Sequence, residues 1–562
     1  MTIQSCLLRG LASATLLLAI SAPSTAQTGV ASILYEYPGA SGEHLGSAVA
    51  EIGDVDSDSR PDYVVGAVGW NNWRGQVRVL SSSRGTVLYT LEGGTAGDRF
   101  GHSIAPLGDM NGDCVNDFIV GAPLASGATP GCGRVYVYSG RNGSLLFVRD
   151  GIGANDHMGW SVASLGDLDW DGIDEFAGGA IDDDDFGLSS GSVRAWSGAT
   201  GATMFTLFGT KTNQLFGASL ISVGDRNNDV VPEFAVGGPS ITGSADSGLV
   251  RIFSGFDRAL MTTIVGSSAG DNFGISLATI GDVDNDGNTD LSIGAPQVSP
   301  MDAGFVEVHV ASGGPAFLRV IGNASGDRFG ARVSPAGDVN TDGVPDFVVG
   351  APGEDLPGAQ DTGSLRFFSG INGALLSARH GVEFGMQLGV AMAGASDVNE
   401  DGQPDLVVGS PGNLALTLAP GNALVISTNP LALWATDYIV SASQPSTPTL
   451  TLDVGAAYGG MTYRVLGSIT GMSPQSNLGN LQLPLAADRY LKHTLASPIN
   501  ALIQGGSGQL DANGRAQVTF TPNAALLGPL YSGLTLYHAF VVFDALGQPL
   551  MASNPVPVTL TP

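Results

Sequence analysis

Residues 53–67 have the sequence GDVDSDSRPDYVVGA, and close relatives of this stretch recur six more times along the chain. Its acidic side chains occupy the first, third, fifth and ninth places of a nine-residue loop, and they are Asp54, Asp56, Asp58 and Asp62. Carboxylates at alternate residues of a tight turn converge on one point, and Ca²⁺ binds about six to eight oxygen ligands. Mg²⁺ takes fewer protein ligands in stricter octahedral geometry, so the spacing predicts a calcium loop.

The copies follow one another at intervals of 55 to 59 residues, and every copy has an oxygen-bearing side chain at each of the four places. One such loop would be a weak motif, whereas several in a fixed phase indicate a repeat architecture with up to seven Ca²⁺. The alternative is a set of acidic turns without metal, but a solvated turn does not require carboxylates at alternate residues. The further candidate ligands are Asp109, Asn111, Asp113, Asp117, Asp167, Asp169, Asp171, Glu175, Asp225, Asn227, Asp229, Glu233, Asp282, Asp284, Asp286, Asp290, Asp338, Asn340, Asp342, Asp346, Asp397, Asn399, Asp401 and Asp405.

Two glycines share the phase of these loops. Before each first Asp stands a Gly that follows a bulky apolar residue, as in Phe100-Gly101, and after it stands a second Gly, as in Gly121-Ala122-Pro123. In these residues the chain resembles the FG-GAP repeat family, the propeller type found at the head of integrin alpha chains and in many secreted bacterial proteins. The resemblance covers about residues 30–427. It implies a β-propeller that binds partners through the face opposite its metals.

Each repeat reads as four short strands, which together form one propeller blade. In the second repeat these are SIAPLG before the loop, DFIVGA after it, then GRVYVYSG and SLLFVRDG. The stretch SILYEYPGASGEHLG precedes the first loop as VLYTLEGGTAGDRFG precedes the second, so a fourth strand arrives before any first strand. We expect this N-terminal strand to complete the seventh blade and close the ring.

The chain outside the repeats indicates further segments. Residues 1–26 read as a signal peptide with one Arg, the apolar run LASATLLLAISA and small residues before the cleavage point. A transmembrane anchor is the competing interpretation, but such an anchor needs about 20 apolar residues. Proline-rich sequence at 428–448 predicts a linker, and β runs separated by turns predict a β-sandwich at 449–562. The expected fold is therefore all-β, with a seven-bladed propeller at 27–427 followed by that sandwich.

Composition restricts the function. The net charge is −29, and the acidic loops contain 24 of the 52 carboxylates, so most of the acidity is explained by metal binding. No basic face is visible in the sequence, which argues against nucleic acid as a partner. With a signal peptide and no later apolar stretch of membrane-spanning length, the sequence predicts a secreted or cell-surface protein, which we expect to be monomeric.

Three other groups of residues are candidate functional or structural features. Cys114 and Cys132 could form a disulfide in an oxidising compartment, or remain as unpaired small residues. Trp70 and Trp73 could stack on a sugar or anchor a protein partner, or pack beneath neighbouring loops. The acidic run at 182–185 could hold a metal or a basic ligand, or simply be solvated.

Catalytic motifs are not found in the sequence. The seven His residues fall at unrelated places in the repeats without an H-E-x-x-H motif, and no G-x-S-x-G elbow stands out. The sequence therefore predicts a calcium-binding adhesion or recognition module for an extracellular protein or glycan, and not an enzyme. The alternative is a carbohydrate-active enzyme, a polysaccharide lyase or hydrolase, built on a calcium-stabilised propeller.

Overall fold

The computed structural model describes most of the chain between Ser32 and Thr561. The described ranges are 32–82, 85–240, 246–296, 303–311, 314–340, 342–355, 360–381, 383–394, 396–398, 403–413, 419–428, 433–435, 439–441, 449–453, 460–468, 475–478, 481–487, 489–496, 503–511, 515–520, 535–544, 546–552 and 556–561. The predicted signal peptide lies outside them. Among the helices of these ranges, none has the length and apolarity needed to cross a membrane.

Seven four-stranded antiparallel sheets make up the repeat region, which confirms the predicted propeller. We call each sheet a blade and number the blades along the chain. The strands are β1 (Ser32–Pro38), β2 (Leu45–Gly53), β3 (Asp62–Ala67), β4 (Gln76–Ser81), β5 (Thr86–Glu92), β6 (Ser103–Pro106), β7 (Phe118–Ala122), β8 (Arg134–Tyr138), β9 (Leu145–Asp150), β10 (Met158–Gly166), β11 (Glu175–Ala180), β12 (Ser192–Trp196), β13 (Thr203–Phe208), β14 (Ser219–Gly224), β15 (Glu233–Gly238), β16 (Leu249–Phe253), β17 (Leu260–Val265), β18 (Ser276–Thr279), β19 (Leu291–Ala295), β20 (Phe305–His309), β21 (Leu318–Ile321), β22 (Arg332–Gly337), β23 (Asp346–Ala351), β24 (Ser364–Phe368), β25 (Leu375–His380), β26 (Ala391–Gly394), β27 (Asp405–Ser410) and β28 (Asn422–Ser427).

The ring closes through the N-terminal strand, as the sequence predicts. The seventh blade has the order β1-β28-β27-β26, and β1 pairs antiparallel with β28 from Ser32 opposite Ser427 to Pro38 opposite Asn422. The first strands of successive blades contact one another around the whole ring, including β2 with β26, so they surround a central channel. Closure thus pairs a strand edge that would otherwise be open.

The hydrophobic core of the ring is divided into layers between blades. Each of seven buried clusters contains side chains from two neighbouring blades. Between the first and second blades, Val64 and Val77 meet Phe100 and Phe118. Because a blade packs on both faces, its second strand is buried throughout, as in β3. The apolar runs after each acidic loop follow from this two-sided burial.

The repeated glycines lie where the second strand of one blade touches the start of the first strand of the next blade. A Cβ atom on Gly66 would be 2.2 Å from the carbonyl oxygen of Gly101 in the next blade. The same contact joins the seventh blade to the first, where a Cβ on Gly409 would be 1.9 Å from the Gly46 oxygen. In the other five blades the corresponding distances are 2.0 to 2.3 Å. A side chain therefore cannot be placed there without moving two backbones apart.

Two sheets and a hairpin follow the propeller. One sheet has the order β29-β31-β37-β35, the other β30-β40-β38-β32-β36 with β39 on β38, and β33 pairs β34. One buried cluster contains residues of both sheets, among them Leu450, Val518, Val465 and Phe540. The elements are β29 (Leu433–Ala435), β30 (Ile439–Ser441), β31 (Thr449–Asp453), β32 (Thr462–Ser468), β33 (Gln475–Leu478), β34 (Leu481–Ala486), β35 (Ile503–Gln504), β36 (Ser507–Gln509), β37 (Arg515–Phe520), β38 (Thr535–Phe543), β39 (Pro549–Ala552) and β40 (Val556–Thr561), with helix α2 (Arg489–Ala496) after β34 and the short turn α1 (Trp70–Trp73) after β3.

The segment 428–448, predicted to be a linker, contains two of these strands. β29 pairs with β31, and β30 pairs with β40, so parts of the segment belong to the C-terminal sheets. The short runs LWA and IVS were too brief to stand out beside the prolines around them. The sandwich itself and the domain boundaries stay predictions.

The disulfide considered for the second blade is not formed. Both cysteines are free, with Cys114 exposed and Cys132 buried. Cys114 precedes β7 in the acidic loop, whereas Cys132 precedes β8 at the other end of the hairpin. A five-residue strand spans about 16 Å, whereas the Cα atoms of a disulfide lie within about 7 Å of each other.

We expect Gly409→Ala to weaken ring closure. Its methyl group would collide with the Gly46 carbonyl oxygen, so the free energy of unfolding should fall by at least about 2 kcal/mol, measured by urea denaturation. Gly94→Ala is the matched control, since a Cβ there meets Asp98 Oδ2 at 3.3 Å. Equal unfolding midpoints for the two variants would show that the close contact does not limit the ring.

Candidate metal centres and upper face

The acidic loops all lie on one face of the ring. Each connects the first strand of a blade to the second, as residues 54–61 connect β2 to β3. In an antiparallel sheet the connections from strand one to two and from three to four emerge at the same end. We call this end the lower face and the opposite end the upper face.

The first carboxylate of each loop organises the turn. In the first six loops it accepts a hydrogen bond from the backbone N–H of the sixth residue, at 2.7 to 2.9 Å. In the first loop Ser59 N–H donates to Asp54 Oδ2, and Asp58 N–H donates to Oδ1. In the seventh loop Asp397 and Asp405 are described, whereas Asn399 and Asp401 lie outside the described residues.

The ninth carboxylate is buried in all seven loops, with an exposed fraction of 0 to 1%. It accepts a hydrogen bond from the N–H of the second loop residue at 2.5 to 3.0 Å. In four blades its other oxygen accepts from the turn after the third strand, as when Ser82 N–H donates to Asp62 Oδ1 at 3.1 Å. One side chain thus ties the loop to the outer half of its blade.

Burial of these carboxylates has an electrostatic cost. Burial, reinforced by the charges of Asp56 and Asp58 and opposed by two N–H donors, raises the pKa of Asp62 to about 6. Burial and the charges of Asp169 and Asp167 raise the pKa of Glu175 to about 7 against its N–H donors. Burial raises the pKa of the other ninth carboxylates Asp117, Glu233, Asp290 and Asp346 as well. A bound cation would offset this cost by favouring the ionised forms.

The convergence of the oxygens fits a divalent cation. In the first loop Asp54, Asp56 and Asp58 each offer an oxygen, and these atoms lie within 4.8 Å of one another. The same holds for Asp167, Asp169 and Glu175, and for Asp282, Asp284 and Asp290. Ligand oxygens about 2.5 Å from one Ca²⁺ can be at most about 5 Å apart. Among the described residues, Glu175 Oε1 has no hydrogen-bond partner, so it is available as a ligand.

In the second and fourth loops the amide of the Asn at the third place faces the ninth carboxylate. Asn227 Nδ2 donates to Glu233 Oε1 at 2.9 Å, and Asn111 Nδ2 lies 3.3 Å from Asp117 Oδ1. Rotation of the amide by half a turn would present its oxygen instead. These residues thus lie where the spacing predicts, next to the ninth carboxylate.

The sixth place has a left-handed backbone whether or not it is Gly. Its φ is 73° at Ser59, 64° at Cys114 and 74° at Val230, close to the 89° of Gly172. A β-branched residue is strained in this region. Val230 is also 76% exposed, so packing does not compensate for the strain.

We therefore expect Val230→Gly to stabilise the protein. Release of the left-handed backbone strain should outweigh the greater freedom of Gly in the unfolded chain, so the free energy of unfolding should rise by about 1 kcal/mol. The stabilisation is measured as a higher melting temperature at saturating Ca²⁺. Gly172→Val is the reciprocal control, because a Cβ there meets nothing within 4 Å and only backbone strain is added. A lower melting temperature for Val230→Gly would contradict the assignment of strain.

On the upper face the two candidate tryptophans have partners within the chain. Trp70 packs against the cluster between the seventh and first blades. The ring of Trp73 stacks on His44 with centroids 5.1 Å apart, and the Arg99 guanidinium lies 5.2 Å from its centroid. These contacts agree with the packing alternative, and ligand binding by either tryptophan stays a prediction.

The acidic run at 182–185 is divided by its contacts. Asp182 Oδ2 lies 2.7 Å from His157 Nδ1, and Asp183 accepts a hydrogen bond from Ser192 at 2.6 Å. Asp184 and Asp185 are exposed. Two of the four carboxylates therefore already have partners, and two face solvent.

Sequence reasoning missed a ring of residues around the upper end of the channel. In every blade, the residue that precedes the bulky apolar residue and its glycine has a left-handed backbone, with φ between 51° and 61°. A sequence signal exists, because these residues share one phase of the repeat, so the prediction that the His residues fall at unrelated places is wrong for His44 and His157. They are His44, Arg99, His157, Leu215, Asn272, Arg328 and Gln387.

Comparison with known proteins agrees with the repeats. A family model described as FG-GAP repeat matches residues 273–310, 329–368 and 388–423. Integrin alpha-V of Gallus gallus is 31% identical over 204 residues, which are 34% of this chain and 19% of the relative. Integrin alpha-M of Mus musculus is 38% identical over 174 residues, or 28% of this chain and 15% of the relative. The chain therefore spans less than a fifth of these relatives.

Among solved structures, the Dos1 propeller matches with a TM-score of 0.39 and 11% identity. The match covers 71% of this chain and 96% of the other.

Proposed function

Because this chain belongs to the FG-GAP repeat family, with integrin alpha chains among its relatives, we propose that it is an extracellular calcium-binding recognition module. The observation that supports this most is the buried ninth carboxylate, which occurs in every blade beside further acidic or amide groups. Ca²⁺ in up to seven loops would neutralise these groups and stiffen a hairpin at the lower face. The ions would then be structural and hold the upper face in shape.

The proposal includes the organisation predicted from the sequence. A signal peptide at 1–26 would export the chain, the propeller at 27–427 would bind an extracellular protein or glycan, and the segment at 449–562 would be a separate β-sandwich. Calcium near millimolar outside cells would fill even weak loops of this kind.

We expect removal of Ca²⁺ to lower the melting temperature. A metal that binds only the folded state stabilises it by linkage, by about 2.7 kcal/mol for one site at a free concentration 100 times its Kd. Melting in millimolar CaCl₂ is compared with melting in excess EDTA, and with MgCl₂ for specificity. Identical curves in calcium and EDTA would disprove a structural role for the ion.

A pair of variants on the lower face assigns the ions to the loops. Asp286→Asn removes a candidate ligand from the fifth loop, whereas Asp257→Asn removes an exposed carboxylate from a turn of the fourth blade. Metal analysis of the dialysed protein should show one ion fewer for Asp286→Asn and no change for Asp257→Asn. An equal loss in both variants would mean that the metal binds by general acidity.

Recognition is tested with the full-length protein on arrays of extracellular proteins and glycans. We expect a ligand that is captured in calcium and released by EDTA, because the ions hold the face that binds it. Equal capture of every array component, or none, would reject the recognition module.

One contact bears on the enzymatic alternative. Because Asp182 binds His157 through Nδ1, Nε2 of that imidazole is left as a candidate base at the upper face. Incubation with uronate-containing polysaccharides, followed by absorbance of the unsaturated product, tests for a lyase. Cleavage that is lost in His157→Gln would favour the enzyme over the pure binding module.

A further inference from the structure

Three exposed apolar side chains stand on the lower face, among the acidic loops. Trp170 is the fourth residue of the third loop, Val230 is the sixth residue of the fourth loop, and Phe256 lies in the turn between β16 and β17. Their exposed fractions are 64%, 76% and 64%. Neither aromatic ring contacts another ring or a cation among the residues that the structure describes. We call these three side chains the apolar tips.

The apolar tips flank one junction between the third and fourth blades. A Cβ atom on Gly255 would lie 2.8 Å from Val231 Cγ1 and 3.0 Å from Leu168 Cδ2. Gly255 and Val231 are chain neighbours of two of the tips, and Leu168 is two residues from the third. Leu168 and Val231 also belong to one buried cluster. The turn and both loops therefore meet, and the tips lie close together at the lower surface.

Other loops have polar or small residues at the places of Trp170 and Val230. The fourth place is Ser, Gly, Asn, Thr or Glu in the other six loops, and the sixth is Ser, Cys or Gly. Val230 stands at its place although its backbone, with φ at 74°, is strained there. Single exposed apolar residues are ordinary on protein surfaces, but three that lie together on an acidic face indicate an interaction site.

The charge around the apolar tips depends on metal. Without metal, the seven carboxylates of the two loops would repel an anionic surface, whereas two Ca²⁺ would cancel four of these seven charges. Asp169 and Asp171 are exposed, so an ion in the third loop can be reached from outside. Ca²⁺ binds about six to eight oxygens, so four loop side chains leave positions for phosphate oxygens. The carboxylates are Asp167, Asp169, Asp171, Glu175, Asp225, Asp229 and Glu233.

Cations beside protruding apolar side chains match the surface of an anionic bilayer. Trp is enriched at the boundary between lipid headgroups and acyl chains, because its ring is apolar and its N–H is polar. Lipid phosphates at this boundary supply the oxygen ligands that a hard cation binds. A protein partner would need pockets complementary to three protruding tips, whereas a fluid bilayer adapts to their shape.

We propose that the lower face docks on bilayers that contain anionic phospholipid, and that it does so only with calcium bound. Trp170, Val230 and Phe256 insert at the level of the headgroups, and lipid phosphates bind the ions of the third and fourth loops. The docked ring presents its upper face away from the bilayer, because the two faces lie at opposite ends of the blades. The inference rests on the calcium-binding part of the proposed function and adds a second surface to it.

The test uses the full-length protein and vesicles of phosphatidylcholine and phosphatidylserine. The variant W170N/F256A replaces two tips by the residues at equivalent places of other blades, Asn228 and Ala199. We expect the unchanged protein to sediment with the vesicles in CaCl₂ and not in EDTA. The affinity of W170N/F256A for the vesicles in CaCl₂ should be lower by at least about tenfold, because two apolar side chains no longer insert.

Tryptophan fluorescence reports insertion directly. Brominated acyl chains should quench the fluorescence of the unchanged protein in CaCl₂, and this quenching should be lost in W170N/F256A. The other tryptophans of the ring do not interfere, because Trp70, Trp73 and Trp160 lie at the upper face and Trp196 is buried.

The double variant I152N/L188N is the matched control. It removes two apolar side chains that are 61% and 66% exposed from upper-face connections, and it should bind the vesicles like the unchanged protein. Metal analysis should find the same number of ions in all three proteins, so that a loss of docking is not a loss of calcium. Equal melting temperatures in calcium establish that each protein is folded.

Several outcomes would overturn the docking surface. They are no sedimentation with vesicles in calcium, sedimentation that persists in EDTA, and equal affinity of W170N/F256A and the unchanged protein. Self-association that W170N/F256A abolishes, without vesicle binding, would assign the apolar tips to a second copy of the chain. If metal analysis finds calcium in the loops and the vesicles are not bound, the docking is rejected while the calcium-binding function stands. If the loops take up no calcium, the proposed function fails and the docking with it.

Discussion

The close approach of a glycine in the second strand of one blade to the carbonyl oxygen of a glycine at the start of the next blade sets the spacing of neighbouring blades throughout the ring. The closing junction of Gly409 with Gly46 leaves as little room for a Cβ as the junction of Gly66 with Gly101, 1.9 Å against 2.2 Å. Blades that touch at the centre diverge outwards, so larger side chains must fill the space between them, and the seven apolar clusters do so. Each blade packs against its two neighbours, so an open ring would expose the apolar faces of its two end blades. Strand β1 prevents this by completing the seventh blade.

The ninth carboxylate connects this core to the candidate metal centres. It begins the second strand or stands immediately before it, and it is buried in every blade. It accepts a hydrogen bond from the loop and, in four blades, a second one from the turn after the third strand. A neutral amide would avoid the cost of burying charge, but it would lose the ionic ligand. The raised pKa values of Asp62 and Glu175 follow from placing a carboxylate where hydrogen bonds can be made but solvent cannot reach. Burial of these carboxylates therefore favours a cation in the acidic loops.

The repeat phase made the fold and the candidate ligands predictable, because a constant interval places equivalent residues in equivalent blades. The N-terminal strand was predictable for the same reason, as its sequence matches a fourth strand. The positions of Cys114 and Cys132 were not, since a strand separates them in space although both belong to one repeat. The partners of Trp73 likewise come from other segments, one before it and one after it.

The two faces of the ring are under different physical constraints. The lower-face loops resemble one another closely in length and in their oxygen-bearing side chains, which a loop that surrounds an ion would have to keep. An upper connection has to join two strands of one blade, or one blade to the next, and can do this with many lengths and compositions. Charged side chains such as Arg99 and Arg328 can thus occupy a position that is Leu215 in another blade without disturbing the left-handed turn they share. The residues of the upper face can then vary while the glycine contacts and the acidic loops keep their pattern in every blade.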